Sequence, residues 1–271
     1  MVGLNITVIS LSNSKRRKFQ IKQLDSLGLR FQFLNAVSSE DIKDDEYQEL
    51  SFDWIRQLKI SELACYKSHK KLWEAISISN IPTLILEDDA LIAKDLKRLL
   101  EKLKKLKNID LVNLENRGRK KILSSHSFEL FDNYKTHKLL HDTTGAAGYI
   151  LWPSGAKKLL ELEKIKGIAL ADAQIFRCRN LNKLQIEPAP IIQLDMVNHY
   201  GISKNIPKDL SQSSVSSKFR HSPKFNFRIK RLWSEIKLGF QKFKLSFFGQ
   251  KRHIETERKE KFKAALDIHT L

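Results

Sequence analysis

Pro82-Thr83-Leu84-Ile85-Leu86-Glu87-Asp88-Asp89-Ala90 decides how this chain folds. Thr83 to Leu86 is a short, wholly water-avoiding run, the pattern of a strand buried on both faces. It runs straight into three carboxylates. Side chains alternate across a strand, so Glu87 and Asp89 share a face while Asp88 points elsewhere. Two carboxylates on one face repel unless a cation or a shared proton compensates them. A hard divalent ion with phosphate oxygens as co-ligands suits such a place. In open α/β sheets, ligands gather beyond the carboxyl ends of strands, so position and chemistry agree. The competing reading is a solvated turn in which Asp88 or Asp89 caps the next helix.

Working outward, the same alternation of short strands and helices recurs. Ile6 to Leu11 reads as a first strand. Ser12-Asn13-Ser14 offers helix caps ahead of an apolar stripe of Phe19, Ile21 and Leu24, and Gly28 ends that helix. Phe31 to Val37 is a second strand, so the chain opens β-α-β. Residues 38–61 are polar, acidic loop and short helix around Trp54, and Glu62 to Ser77 has helical spacing. Beyond the triplet, Leu91 to Leu106 reads as a Lys-rich amphipathic helix and Ile109 to Leu114 as a strand. Arg117 to Lys138 is irregular and basic, and Thr143 to Trp152 is a glycine-punctuated strand. Pro153-Ser154 opens a helix, and Leu184 to Leu194, with Pro188 and Pro190, is an edge strand or extended segment. The expected class is α/β, a mixed Rossmann-type sheet flanked by helices.

The 271 residues suffice for a full core. Cys65 and Cys178 form neither a disulfide framework nor a zinc pattern, which points to a reducing compartment. The start resembles a strand rather than a secretory signal, and no apolar run reaches membrane-spanning length. The net charge of +18 is the unusual bulk property. Residues 216–271 hold fifteen Lys and Arg against five Asp and Glu, a surplus of ten. Ser211 to Ser217 is the best linker, dividing a catalytic domain, 1–210, from a basic tail, 211–271. In the tail Ile229, Leu232, Trp233, Ile236, Phe240, Phe243 and Phe247 recur at helical steps among Lys230, Arg231, Lys237, Lys242 and Lys244. That is the composition of an interfacial helix on an anionic membrane. The alternative is packing on the catalytic domain or on a second subunit, so the oligomeric state, a dimer included, stays open. Basic charge beside a carboxylate triplet also fits a metal-dependent nucleic-acid enzyme. The surplus lies away from the triplet, however, so no nucleic-acid partner is expected.

Ordered motifs sharpen this reading. Glu62-Leu-Ala-Cys-Tyr-Lys-Ser-His-Lys-Lys-Leu-Trp73, followed by the apolar strand and Glu87-Asp88-Asp89, resembles glycosyltransferase family 25, with Ala64 where that pattern has Gly. Ile9 to Arg17 resembles the family's opening, with Ser10 and Ser12 where it has Asn and Asp. Thr144-Gly-Ala-Ala-Gly-Tyr-Ile-Leu151, followed by Gly155-Ala-Lys-Lys-Leu-Leu160, resembles a third segment, and Ala169-Leu-Ala-Asp172 a fourth. The resemblance spans roughly residues 4–200.

It implies a GT-A-like enzyme that transfers a hexose, galactose ahead of glucose, from a UDP-sugar with inversion. The implied acceptor is a lipid-linked lipooligosaccharide or lipopolysaccharide core at the cytoplasmic face of the inner membrane. The implied cofactor is Mn²⁺ or Mg²⁺, held by Glu87 and Asp89, with His199 as a late ligand; a surface or core role is the alternative for His199. Asp172 is the expected general base, with helix capping as its alternative and Asp142 and Asp195 behind it. Ser10, Arg16, Arg17, Ser68, His69, Glu87, Asp88 and Gly145 are expected around the donor. Exposed helix charge is the alternative for the arginines, a buried structural role for His69, and plain strand packing for Gly145 and its neighbour Gly148.

Overall fold

A computed structural model describes residues 3–142, 145–203, 210 and 249–270. The β-α-β opening consists of β1 (Asn5–Ser10), α1 (Arg16–Ser26) and β2 (Gln32–Asn35). Then come α2 (Asp44–Leu50), α3 (Ile60–Ile78) and β3 (Thr83–Glu87), the strand that carries the acidic turn. β4 (Ala90–Ile92), α4 (Leu96–Leu103), β5 (Leu111–Asn113), β6 (Lys121–Phe131) and β7 (Tyr134–His141) follow. The remainder is β8 (Gly148–Leu151), α5 (Pro153–Lys166), α6 (Ala171–Arg177), β9 (Lys183–Glu187), β10 (Ile191–Gln193), β11 (Gln250–Arg252) and α7 (Lys259–Thr270).

Nine strands form one mixed sheet in the order β11-β6-β7-β9-β5-β8-β3-β1-β2, while β4 and β10 make a separate antiparallel pair. β1 runs parallel to both β2 and β3, and β8 is antiparallel to β3 and β5. The fold is α/β, a mixed sheet flanked by helices, in keeping with a GT-A-like Rossmann architecture.

The alternation expected of β3 sorts its residues between two cores. Ile85 packs with Trp73, Leu63 and Tyr149 under α3 and α5. Leu84 and Leu86 pack on the opposite face with Leu96, Leu99 and Leu103 of α4. Glu87 is two residues beyond Ile85, so its side chain emerges on the α3 side.

The structure corrects four readings. The helix expected over Leu91–Leu106 is β4 followed by a shorter α4, because Ala90 to Ile92 pairs with Ile191 to Gln193 and is fully buried. The irregular stretch Arg117–Lys138 is largely the β6–β7 hairpin. Its exposed outer half carries charge, which masked the strand pattern. β9 is no edge strand: it lies between β5 and β7, because Pro188 and Pro190 fall after it in the connection to β10. Of Thr143–Trp152, the strand itself is Gly148–Leu151.

The chain's last described stretch also returns to the main sheet. β11 pairs antiparallel with β6, and α7 packs on α1. Phe262, fully buried, joins Phe19, Leu91, Ile192 and Val197 in a third core cluster, a burial worth about 1.5–3 kcal/mol. Residues 249–270 thus pack with the main sheet and with α1. The proposed linker, 211–217, and the amphipathic segment, 229–247, lie outside the described residues. Among the described residues no helix is long and apolar enough to cross a membrane.

Candidate active site

The three carboxylates of the turn have three different environments. Asp88 is saturated: Ser10 Oγ and Ser14 Oγ each donate at 2.7 Å, and Arg16 Nη1 lies 3.3 Å away. Glu87 Oε1 accepts from His69 Nε2 at 3.1 Å, with Cys65 Sγ at 4.0 Å. Asp89 Oδ1 is buried and has no hydrogen-bond partner among the described residues. Burial, reinforced by the negative charge of Glu87, drives the Asp89 carboxyl well above the ordinary carboxylate range.

The backbone of the turn is clamped by two buried glutamines of α1. Gln20 Nε2 donates to the carbonyls of Asp88 and Ala90, at 3.0 and 2.8 Å. Gln23 Nε2 donates to Ala90 O at 3.1 Å, and its Oε1 accepts from Ile92 N–H at 2.8 Å. The expected apolar stripe of α1 is thus part polar: Phe19, Gln20, Gln23 and Leu24 are buried, while Ile21 is exposed. Those amides hold the turn in place of a helix cap.

Glu115 is the residue that sequence reasoning missed. It follows β5 and is almost wholly buried. Its Oε2 accepts from Ala147 N–H at 2.8 Å, and Oε1 is buried without a hydrogen-bond partner among the described residues. Burial, with Glu87 adding to it, raises this carboxyl to about 7. Gly145, at φ +92°, lies against it; a Cβ there would sit 2.5 Å from Glu115 Oε2, so the position requires glycine. Behind Glu115, Lys121 Nζ donates to its carbonyl at 2.9 Å and pairs with Asp142 Oδ2 at 2.7 Å. This occupies Asp142 in the core.

Asp172 stands in the first turn of α6, half-buried, with its Oδ1 accepting from Ala173 N–H at 2.7 Å. Burial is the main cause that raises its carboxyl, and Glu87 adds to it. Asp172 also takes the backbone N–H of Gly145, so it shares that glycine's segment with Glu115.

Other expected site residues are engaged structurally. Arg16 also donates from Nε to Leu210 O. Arg17 donates to Ser10 O and Asn35 Oδ1 and lies over the Phe33 ring. Ser68 Oγ donates to Ala64 O and accepts from Val37 N–H, tying α3 to the end of β2. His69 is fully buried. Gly148 packs against Ile191. Asp195, exposed, pairs with Arg117 at 2.7 Å. His199 is exposed, with its Nε2 beside Gly118 and its ring edge-on to Tyr200. Among the described residues, the donor atoms that gather within 4.8 Å are those of Cys65, His69 and Glu87, a set without His199.

Comparison with known proteins first defines a class. A putative glycosyltransferase of Haemophilus influenzae (strain ATCC 51907 / DSM 11121 / KW20 / Rd) is 28% identical over 90% of this chain and 86% of its own length. The lacto-N-neotetraose biosynthesis glycosyltransferase LgtE of Neisseria gonorrhoeae is 26% identical, over 83% of this chain and 87% of that one. Procollagen galactosyltransferase 1-B of Xenopus laevis is 24% identical over 59% of this chain, which spans 28% of that longer protein. The model of glycosyltransferase family 25, described as an LPS biosynthesis protein, matches residues 4–174, and the chain belongs to that family. Of the two readings of the acidic triplet, sugar transfer and nucleic-acid chemistry, the family match favours sugar transfer.

Proposed function

We infer that this glycosyltransferase moves a hexose, galactose ahead of glucose, from a UDP-sugar to a lipooligosaccharide or lipopolysaccharide core acceptor, with inversion and with a divalent cation at the acidic turn. The observation that carries the reading is the uncompensated acid group around Glu87, Asp89 and Glu115. Two buried carboxylate oxygens, Asp89 Oδ1 and Glu115 Oε1, have no donor among the described residues. Such oxygens are costly to bury ionised unless a cation answers them. An all-oxygen set suits Mn²⁺ or Mg²⁺. Asp89 and Glu115 would hold the ion with Glu87 beside them, and His199 is the candidate that approaches from the neighbouring loop. When bound, the ion supplies Lewis-acid stabilisation of the departing diphosphate.

The chain's own groups do the rest. Asp88, braced by Ser10, Ser14 and Arg16, fixes the turn against α1. Asp172 accepts the proton of the acceptor hydroxyl at the anomeric carbon, and its upward shift makes it a better base than an ordinary aspartate. The acceptor class rests on the family's description and on the Neisseria relative's name. Galactose rests on the Xenopus relative's name. The basic segment 229–247 is assigned to the anionic cytoplasmic leaflet of the inner membrane, where a lipid-linked acceptor resides.

The deciding experiment incubates the protein, Mn²⁺ and acceptor with a panel of UDP-sugars and measures UDP release. Release with UDP-galactose is expected; no release with any donor would sink the reading. Membrane contact is tested separately with anionic vesicles. Replacing Lys230, Arg231, Lys237, Lys242 and Lys244 by Ala should abolish sedimentation with them, and unchanged sedimentation would refute the assignment.

A further inference from the structure

Trp73, Tyr149, His69 and Glu87 form a hydrogen-bonded file from the core to the acid group. Trp73 Nε1 lies 2.9 Å from the Tyr149 hydroxyl, and that hydroxyl lies 2.9 Å from His69 Nδ1. His69 Nε2 lies 3.1 Å from Glu87 Oε1. Trp73 and His69 are fully buried and Tyr149 is 2% exposed, so the two inner links are shielded from bulk water, while the Glu87 side chain at the outer end is 25% exposed. The secondary structure lines the file up. Tyr149 stands opposite Ile85 on β8, and Glu87 follows Ile85 on the same face of β3. His69 and Trp73 are one helical turn apart on α3.

The direction of the file follows from its first link. An indole N–H only donates, so the Tyr149 oxygen accepts from Trp73. Among the described residues the hydroxyl's partners are Trp73 and His69, so its own proton goes to His69 Nδ1. Nδ1 therefore accepts, and the imidazole carries its proton on Nε2, aimed at Glu87 Oε1. Reversing the His69 link would leave the phenolic proton buried with no acceptor. A ring protonated at both nitrogens would do the same.

We propose that His69 is a positioning residue: its Nε2–H pins one oxygen of Glu87, and this leaves the other oxygen for the cation and diphosphate. The proposal rests on the divalent-cation reading of the site. It also weighs against a competing use of the same atoms. Cys65, His69 and Glu87 gather within ligand range of one another, yet His69 Nε2 must lose its proton before it can ligate a metal, and the ring would then carry a proton on Nδ1 and strand the hydroxyl proton of Tyr149. The group is a hydrogen-bonded brace, and the cation belongs on the Asp89 and Glu115 side.

Two measurements on the full-length protein test this. The first is ¹⁵N NMR of the His69 ring at neutral pH without metal, assigned by loss of the signal in His69→Gln. The Nε2–H tautomer is expected, and an Nδ1–H tautomer or a doubly protonated ring would overturn the file. The second is Mn²⁺ affinity by electron paramagnetic resonance. His69→Phe should weaken Mn²⁺ binding by about 10- to 100-fold, the scale of losing a partner that orients a ligand. His69→Gln, whose amide N–H reaches toward the same oxygen, should recover most of it. Equal affinity in a folded His69→Phe protein would overturn the positioning role. If that variant does not fold, Tyr149→Phe replaces it, with a smaller loss expected and the same affinity as the unaltered protein counting against the proposal. Absence of Mn²⁺ binding by the unaltered protein would overturn the cation reading and the positioning role together. The tautomer measurement, made without metal, shows separately whether the file itself is as described.

Discussion

Asp88 and Asp89 are neighbours in one turn, yet the fold treats them oppositely. Asp88 receives two hydroxyls and a guanidinium. Asp89, one residue on, has a buried oxygen with no partner among the described residues, as does Glu115 from the end of β5, two strands away across β8. A carboxylate that the protein itself satisfies serves the structure. One that it leaves without a donor has an oxygen for the cation proposed at this turn.

Removing the Asp89 carboxylate should cost activity and little stability. Asp89→Asn is expected to lower transfer by roughly 10²- to 10³-fold, the scale of losing one preorganised electrostatic partner, while its urea midpoint holds or rises. A folded Asp89→Asn enzyme with full turnover would break the comparison. Saturating Mn²⁺ should raise the stability of the unaltered protein by about 3 kcal/mol at 100-fold excess over Kd, and by much less in Asp89→Asn. Calorimetry with and without the ion measures this.

Glu115 allows a pH test. Its folded carboxyl sits at about 7, above the ordinary 4.5. Between those values the folded state holds a proton that the unfolded chain has lost, so the stability of the metal-free protein falls as pH rises through the window, by a few kcal/mol at most. Glu115→Gln should flatten that slope in urea titrations, and a slope of opposite sign would refute the environment described. Asp88→Ala should do the reverse of Asp89→Asn. It strands Ser10, Ser14 and Arg16 and costs about 1–3 kcal/mol, again read from urea unfolding. The mildest effect is kinetic. With Asp172 as the proposed base, the acid limb of the rate profile should lie above the pH at which an ordinary aspartate ionises, and a limb at the ordinary position would count against that role.

What was legible in the sequence was whatever had a local period or an unmistakable neighbour. β3 showed as an apolar run ending in carboxylates, α3 as a helical stripe, and α5 by the proline in its first turn. Glu115 was not legible. Asn113-Leu114-Glu115 carries no spacing signal, and only the pairing of β8 with both β3 and β5 brings it to the turn. β4 hid because only three residues separate its apolar run from α4, and that run extends the helix's apolar spacing toward the turn. β11 hid because Gln250-Lys251-Arg252 is wholly polar, held by ladder bonds and by the pairing of Arg252 with Glu187. Gln20 and Gln23 broke the apolar stripe of α1 because their task was to grip a backbone.

The seating of α7 on α1 gives the molecule a temporal order as well as a shape. More than two hundred residues separate Phe19 from Phe262, and contacts so distant in sequence form late, after much loop entropy has been spent. A nascent chain emerging from the ribosome can pair β1, β2 and β3 early. The helix that grips the acidic turn gains the last part of its packing, against Phe262, once that residue is free. A chain cut short before α7 would keep Leu24 of α1 in the core with β1 and β3 but would lack the Phe262 contact that closes the far side of the helix gripping the acidic turn.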